Sequence, residues 1–327
     1  MASLVNSFSY SPSQWGQFET CHRQYWFSRY GSWGGWEKNC HPLTREIYRL
    51  KKLSNRYLWS GSRVHEAISG ILKSFQAGNP IDPELEKQKL LQRMRQDFRD
   101  SKSLPPGEIP PKGSYRFVEH DDQEMAIIDS AWKEIVEKSV VALENFFLSE
   151  PWEWIRSLGP DCLLRTDEIL ESIPFQTDGV DFPVYLSIDL AINDPEGLII
   201  LDWKTGKPSP KSHQPQLDLY AYYAVKKLDC PPDKVRTGAI YISSPERKVT
   251  LEYSSGKIME ETHARIETHT RTILSKIQDP FNGIANKDEF APTPRAYSCK
   301  SCFLEGFVKT HTSPMPNQSI QLPQPMV

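Results

Sequence analysis

The chain has 327 residues, a formal net charge of −3, nine tryptophans and 26 prolines. That length suits one large domain or a core with an inserted subdomain, and the small negative charge excludes a protein that draws in a polyanion by its overall field. No apolar run reaches membrane-spanning length and no basic segment leads into an apolar signal core, so the expectation is a soluble, cytoplasmic protein with no membrane partner.

Ser11-Pro12-Ser13 predicts a first helix with Ser11 as N-cap and proline at the first helical position. Trp15, Phe18, Cys21 and Tyr25 then form one apolar stripe. Tyr30 to Trp36 is too glycine-rich for a regular element, and its tryptophans either stack on bases or cover a core edge. Gly61-Ser62-Arg63-Val64-His65 predicts the opening of a second helix, with His65, Ile68, Leu72 and Phe75 on one face.

Residues 77–150 predict a helix over Leu85 to Phe98, a proline-rich loop from Ser101 to Asp122, and an amphipathic helix from Gln123 to Phe147. Such an insertion could wall a substrate channel, with Lys89, Arg93, Arg95 and Arg99 either touching phosphate or simply solvated. Leu163 to Leu170 reads as a strand.

The decisive stretch follows. Val184, Leu186, Ile188, Leu190 and Ile192 alternate with Tyr185, Ser187, Asp189 and Ala191, the period of a half-buried strand, and Leu198 to Lys204 repeats it. Asp194-Pro195-Glu196-Gly197 joins the runs as a hairpin turn. The register that matches the apolar faces sets Leu190 and Ile192 against Leu201 and Ile199, and so sets Asp189 across from Asp202. Directly opposed residues lie roughly 4.5 to 5.5 Å apart, where like charges are destabilising. A cation between them, or one protonated carboxyl, resolves the conflict. Lys204 points the same way as Asp202. Two acids and an ammonium in one small volume suit Mg2+ or Mn2+ with open positions for water and phosphate oxygens, which is phosphodiester-hydrolysis chemistry.

Lys207 to His213 is a basic loop, and Pro215 predicts a helix start that carries Gln216 and Tyr220 one turn apart. Val235 to Ser243 and Lys248 to Tyr253 predict strands, and Gly256 to Ile277 a helix. Cys299-Lys300-Ser301-Cys302 favours metal or reduced thiols over a disulfide in an intracellular chain, whereas Cys162 and Cys230 fit no motif. Residues 312–327 are polar, proline-rich and read as a disordered tail after a domain spanning 1–311. Within that domain the expected parts are a helical region to about 150, a catalytic core from about 160 to 255, and a C-terminal helix with a cysteine segment from about 256.

Asp189, the run Asp202-Trp203-Lys204-Thr205-Gly206, and Gln216 with Tyr220 resemble the PD-(D/E)XK nucleases, in particular the RecB-like branch with its G-x-x-D, D-x-K-T and Q-x-x-x-Y motifs. The first motif departs here, since no glycine precedes Asp189 at that spacing. The resemblance implies a restriction-endonuclease-like α/β fold, a mixed sheet flanked by helices. It also implies that the histidine of G-x-x-x-H, His65, reaches a metal with Asp189 and Asp202. A glutamate on the preceding strand joins the catalytic set; Glu168 is the choice and Glu171 its competitor. Gln216 and Tyr220 would bind substrate.

The run S-P-S-Q-W-x-x-F-x-x-C-x-x-Q-Y resembles the opening of the relatives that hold an iron-sulfur cluster. By that resemblance Cys21, Cys299 and Cys302 are candidate ligands, but Val308 stands where a fourth cysteine is found. Cys40 or His311 is a substitute, and zinc or a degenerate remnant are the alternatives. The implied function is Mg2+- or Mn2+-dependent cleavage of DNA, as an exonuclease on ends or single strands, in DNA repair, recombination or phage defence, with a helicase or other repair or defence protein as partner. The alternatives are a non-catalytic nucleic-acid-binding subunit that keeps the fold, and a hydrolase of small phosphate esters.

Overall fold

The computed structural model describes residues 4–122, 125–166, 169–244, 249–292 and 302. Glu168, Cys299, Val308, His311 and the tail from 312 lie outside them. In chain order the first helices are α1 (Pro12–Thr20), α2 (His22–Trp26) and α3 (Pro42–Lys51), with a π-helical turn at Phe27–Gly31. Strand β1 (Leu53–Ser54), helices α4 (Arg56–Gln76) and α5 (Pro83–Ser103), strand β2 (Arg116–Phe117), and α6 (Val118–Asp121), α7 (Asp129–Phe147) and α8 (Glu150–Leu158) follow. Then come β3 (Leu163–Arg165), β4 (Ile169–Thr177), β5 (Val180–Ile188), β6 (Leu190–Asp194), β7 (Gly197–Lys204), α9 (Pro210–Lys227), β8 (Val235–Tyr241), β9 (Glu252–Tyr253) and α10 (Gly256–Leu274). No helix of the described residues is long and apolar enough to cross a membrane.

The central sheet has the order β3-β6-β7-β8-β9, and β4 pairs with β5 in a separate hairpin. Strand β7 runs parallel to β8 through the α9 crossover, while β3, β6 and β7 are antiparallel neighbours. This is the mixed sheet between helices that the sequence implied.

Helices cover both faces of the sheet, which explains its composition. Leu190, Ile192, Ile199, Leu201 and Trp203 pack on one side with Trp59, Ile68 and Leu72 of α4, Met94 of α5, Trp132 and Phe146 of α7, and Trp152 of α8. Ala191, Leu198 and Ile200 face the other side with Phe18, Tyr25, residues of α9 and α10, and the β4–β5 hairpin. The half-buried strands read from the alternation are therefore buried on both faces over Leu190–Ile192 and Leu198–Trp203, as expected of strands between two helical layers. The helical stretch between α4 and α8 is one of those layers. Its buried apolar side chains close the sheet, a role that is structural before it is anything else.

Other boundaries move as well. Helix α4 begins at Arg56, five residues before the expected opening at Gly61, because Asn55 Oδ1 accepts the N–H groups of Tyr57 and Leu58 and caps it there. Helix α9 begins at Pro210 and contains Pro215, which the sequence had put at the start. The strand read over Leu163 to Leu170 is instead β3 and the opening of β4, which pair with different partners. Ser11 caps α1 as predicted, accepting from the Gln14 N–H.

Candidate active site

The hairpin of β6 and β7 has the register read from the sequence: Leu190 pairs with Leu201 and Ile192 with Ile199. At its turn, Asp194 Oδ1 accepts the N–H groups of Glu196 and Gly197. Gly197 has φ +142°, and a Cβ there would lie 2.2 Å from the Lys234 carbonyl oxygen, so only glycine fits.

Asp189 stands at a change of partner. Ile188 ends β5, paired with Ile169, and Leu190 opens β6, paired with Leu201. The run that alternates continuously in sequence is thus two strands, and the single residue between them is the acid. Its Oδ2 accepts the backbone N–H of Trp203 at 2.9 Å, which fixes the carboxylate across the strand end that carries Asp202 and Lys204. His65, on α4, brings Nδ1 to 3.3 Å from the same oxygen.

Asp202 is only 3% exposed. Its Oδ1 accepts from the Tyr220 hydroxyl at 2.8 Å and from Gln216 Nε2 at 3.1 Å. Its Oδ2 lies 2.5 Å from Lys204 Nζ, yet at an angle that leaves it without a directed hydrogen bond. Burial, and then the charge of Asp189, push the Asp202 carboxyl above the usual carboxylate range, while Lys204 and Tyr220 pull it back. Lys204 Nζ also donates to Gln216 Oε1 at 2.8 Å, so the amide bridges the ammonium and the carboxylate and its orientation is set by both.

Tyr220 is fully buried, and its hydroxyl proton is shared between Asp202 Oδ1 and the Ser187 carbonyl oxygen, 2.6 Å away. Burial first, then the two acids, hold this phenol well above its ordinary pKa, so it stays a donor. Beyond the strand, His213 Nδ1 meets the Tyr241 hydroxyl at 2.8 Å; burial and then Lys204 lower its pKa.

Of the residues expected from sequence, His65, Asp189, Asp202, Lys204, Gln216 and Tyr220 come together at the C-terminal end of β7, beyond which ligands bind in sheets with parallel strands. Glu171 is engaged elsewhere: it forms a 2.5 Å ion pair with Arg165 and adjoins Tyr223. Glu168 and Cys299 lie outside the described residues; Cys21 and Cys302 are partly buried, Cys302 against the Phe18–Tyr25 side of the core.

Sequence reasoning missed the Trp203 N–H and the Ser187 carbonyl, because backbone groups leave no residue signal. It also misread Gly61. A Cβ at Gly61 would lie 3.0 Å from Thr205 Oγ1, so a side chain there would crowd the loop after Lys204 where α4 approaches it.

The model of the PD-(D/E)XK nuclease superfamily matches residues 9–305. The chain belongs to this superfamily. Its D-x-K triplet, Asp202-Trp203-Lys204, is the end of β7, and its mixed α/β architecture is the restriction-endonuclease-like fold. No curated protein matches the chain. Among solved structures it is similar to the crystal structure of SSO0001, at 16% identity over 54% of this chain and 76% of that one, with a TM-score of 0.29.

PD-(D/E)XK nucleases usually use divalent metals, and the donors here suit one. Two carboxylates lie side by side with an imidazole against one of them, and the buried Asp202 Oδ2 lacks a directed hydrogen bond. Among the described residues no three His, Cys, Asp or Glu side chains close into a cage. Two adjacent carboxylates are the oxygen donors that a hard divalent cation takes, its other positions being filled by water and phosphate oxygens.

Proposed function

We propose that this chain is a Mg2+- or Mn2+-dependent deoxyribonuclease of the RecB-like branch, acting as an exonuclease on DNA ends or single strands. The observation that carries the reading is the single network through Asp202, Lys204, Gln216 and Tyr220, with Asp189 and His65 beside it. Asp189 and Asp202 would hold the cation, with His65 next to Asp189. When bound, the cation supplies Lewis acidity toward a phosphoryl oxygen and lowers the pKa of water beside it.

The chain's own groups do the rest. Lys204, as an ammonium, orients the attacking water and offsets the charge that builds on the phosphoryl oxygens, while the water's proton passes to solvent. Water oxygen bonds to phosphorus as the opposite phosphorus–oxygen bond breaks, and the leaving oxygen takes up a proton. Gln216 keeps the lysine and Asp202 at fixed separation through both ends of one amide. Tyr220 holds Asp202 from below. A subunit that only bound nucleic acid would have no use for two adjacent carboxylates that repel phosphate.

By resemblance, the setting is DNA repair, recombination or phage defence, with a helicase or another protein of those pathways delivering the strand. By the same resemblance, Cys21, Cys299 and Cys302 would supply three of the four thiolates that a [4Fe-4S] cluster takes. The visible absorbance and iron content of anaerobically purified protein test for it.

The function itself is tested with end-labelled single- and double-stranded DNA and closed circular DNA, in Mg2+, Mn2+ or EDTA. Cutting that needs the cation, spares circles and is lost in Lys204→Ala is the expected result. Intact DNA under every cation condition with the wild-type chain would overturn the nuclease reading, and release of phosphate from free nucleotides alone would replace it.

A further inference from the structure

Helix α4 lies along the catalytic sheet on one stripe of side chains, and each turn of that stripe has a partner. Gly61 meets Thr205, His65 meets Asp189 Oδ2 at 3.3 Å, Ser69 Oγ donates to the Thr166 carbonyl at 2.6 Å, and Gln76 Nε2 donates to the Leu163 carbonyl at 2.7 Å. Three- and four-residue steps keep these positions on one face. One turn further toward the N-terminus the same face carries Tyr57 and Leu58, beyond the end of β7 at Lys204. They are 60% and 63% exposed and belong to neither core.

Two adjacent large apolar side chains in water, two helical turns from the catalytic acids, are costly unless something covers them. Tyr57 is also held rigid. The Arg56 guanidinium lies 4.4 Å from its ring centroid and donates to its hydroxyl at 2.8 Å, while Arg56 is itself anchored on Glu119 at 2.9 Å. A phenol plate backed by a cation, next to an aliphatic side chain, is the chemistry that stacks a nucleobase.

We propose that Tyr57 and Leu58 form a stacking shelf for bases of a single DNA strand whose backbone enters the site of Asp189 and Asp202. The inference rests on the nuclease reading for its substrate. A rise of 1.5 Å per residue puts the shelf about 11 Å along the helix from His65, within the reach of about three stacked nucleotides. A stacking plate accepts any base, so the shelf sorts unpaired strands from duplex without reading sequence. Paired bases are stacked on each other and do not offer a free face.

The test uses the full chain in EDTA and single-stranded oligonucleotides carrying 2-aminopurine one to four positions from an end. Binding is expected to quench the probe at one or two of those positions. Tyr57→Ala combined with Leu58→Ala abolishes that quenching and weakens binding about 10-fold or more, while Tyr57→Trp restores both. Both side chains are exposed, so the double variant keeps the wild-type melting curve. Unchanged quenching and affinity in the double variant overturn the shelf, as does a wild-type chain that binds no single strand. A double variant altered only in self-association or in binding another protein overturns it too, by making the patch a protein contact. A wild-type chain that quenches the probe yet cuts no DNA with Mn2+ rejects the nuclease reading and leaves the shelf standing. One that cuts while the double variant still quenches does the reverse.

Discussion

The Trp203 backbone N–H donates to Asp189 Oδ2 at 2.9 Å, so the strand that carries Asp202 and Lys204 also aims the other acid. This bond separates a carboxylate's structural role from its chemical one. Asp189→Asn keeps an acceptor for the amide and is expected to fold normally, yet to lose cleavage by at least about 100-fold through the lost charge. Asp189→Ala also strands a buried N–H and is expected to cost about 1 to 3 kcal/mol of stability. Denaturant melts alongside cleavage rates check this; equal stability of the two variants would count against the bond.

Tyr220→Phe removes one hydroxyl and leaves both the Ser187 carbonyl and Asp202 Oδ1 short of a donor. The expected loss is about 1 to 3 kcal/mol in urea unfolding, with a fall in turnover rather than in DNA affinity. A variant that loses affinity alone would assign Tyr220 to the substrate instead of to Asp202.

Lys204 is the cation against a carboxyl that burial and Asp189 already disfavour as an anion. Lys204→Ala is expected to abolish cutting and to destabilise the fold by about 3 kcal/mol, as removing one partner of a buried pair does. A divalent cation replaces part of the lost charge, so Mn2+ is expected to raise the melting temperature of Lys204→Ala more than that of the wild type. Equal shifts in a thermal-melt comparison would argue that the ion does not sit by Asp202.

Two histidines far from the acids set an acid limit. His120 lies among Phe98, Phe117 and Trp132, and burial, then Arg116 and Lys102, lower its pKa from 6.5 to about 4. His269, stacked 3.8 Å from Trp15, is lowered to about 4 by burial and then Arg265. Between about 4 and 6.5 the unfolded chain binds more protons than the folded one, so stability rises with pH through that window and is lost on acidification. Both rings keep some contact with solvent, so each is expected to contribute on the order of 1 kcal/mol. Urea midpoints from pH 4.5 to 7 check the slope, which His269→Gln is expected to flatten.

Much of the site was readable from residues alone. Hydrophobic alternation fixed the pairing of Leu190 with Leu201, because a slip by one residue turns every apolar side chain to the wrong face. That register, with the two-residue step to Lys204 and the helical step from Gln216 to Tyr220, was enough to bring one acid, the ammonium, the amide and the phenol together.

The tertiary structure decided what local pattern cannot express. Hydrophobic alternation runs through Asp189 without a break, although β5 buries alternate residues and β6 consecutive ones, and only the choice of partner strand shows that the chain leaves one hairpin for the sheet at that residue. The same holds for burial on both faces, which depends on helical layers supplied by segments from both ends of the chain, α1 and α4 as well as α7 to α10. The aiming of Asp189 and the anchoring of Tyr220 fall to a backbone N–H and a backbone carbonyl. Every residue carries those groups, so their use is set by where the chain passes and not by which side chains it bears.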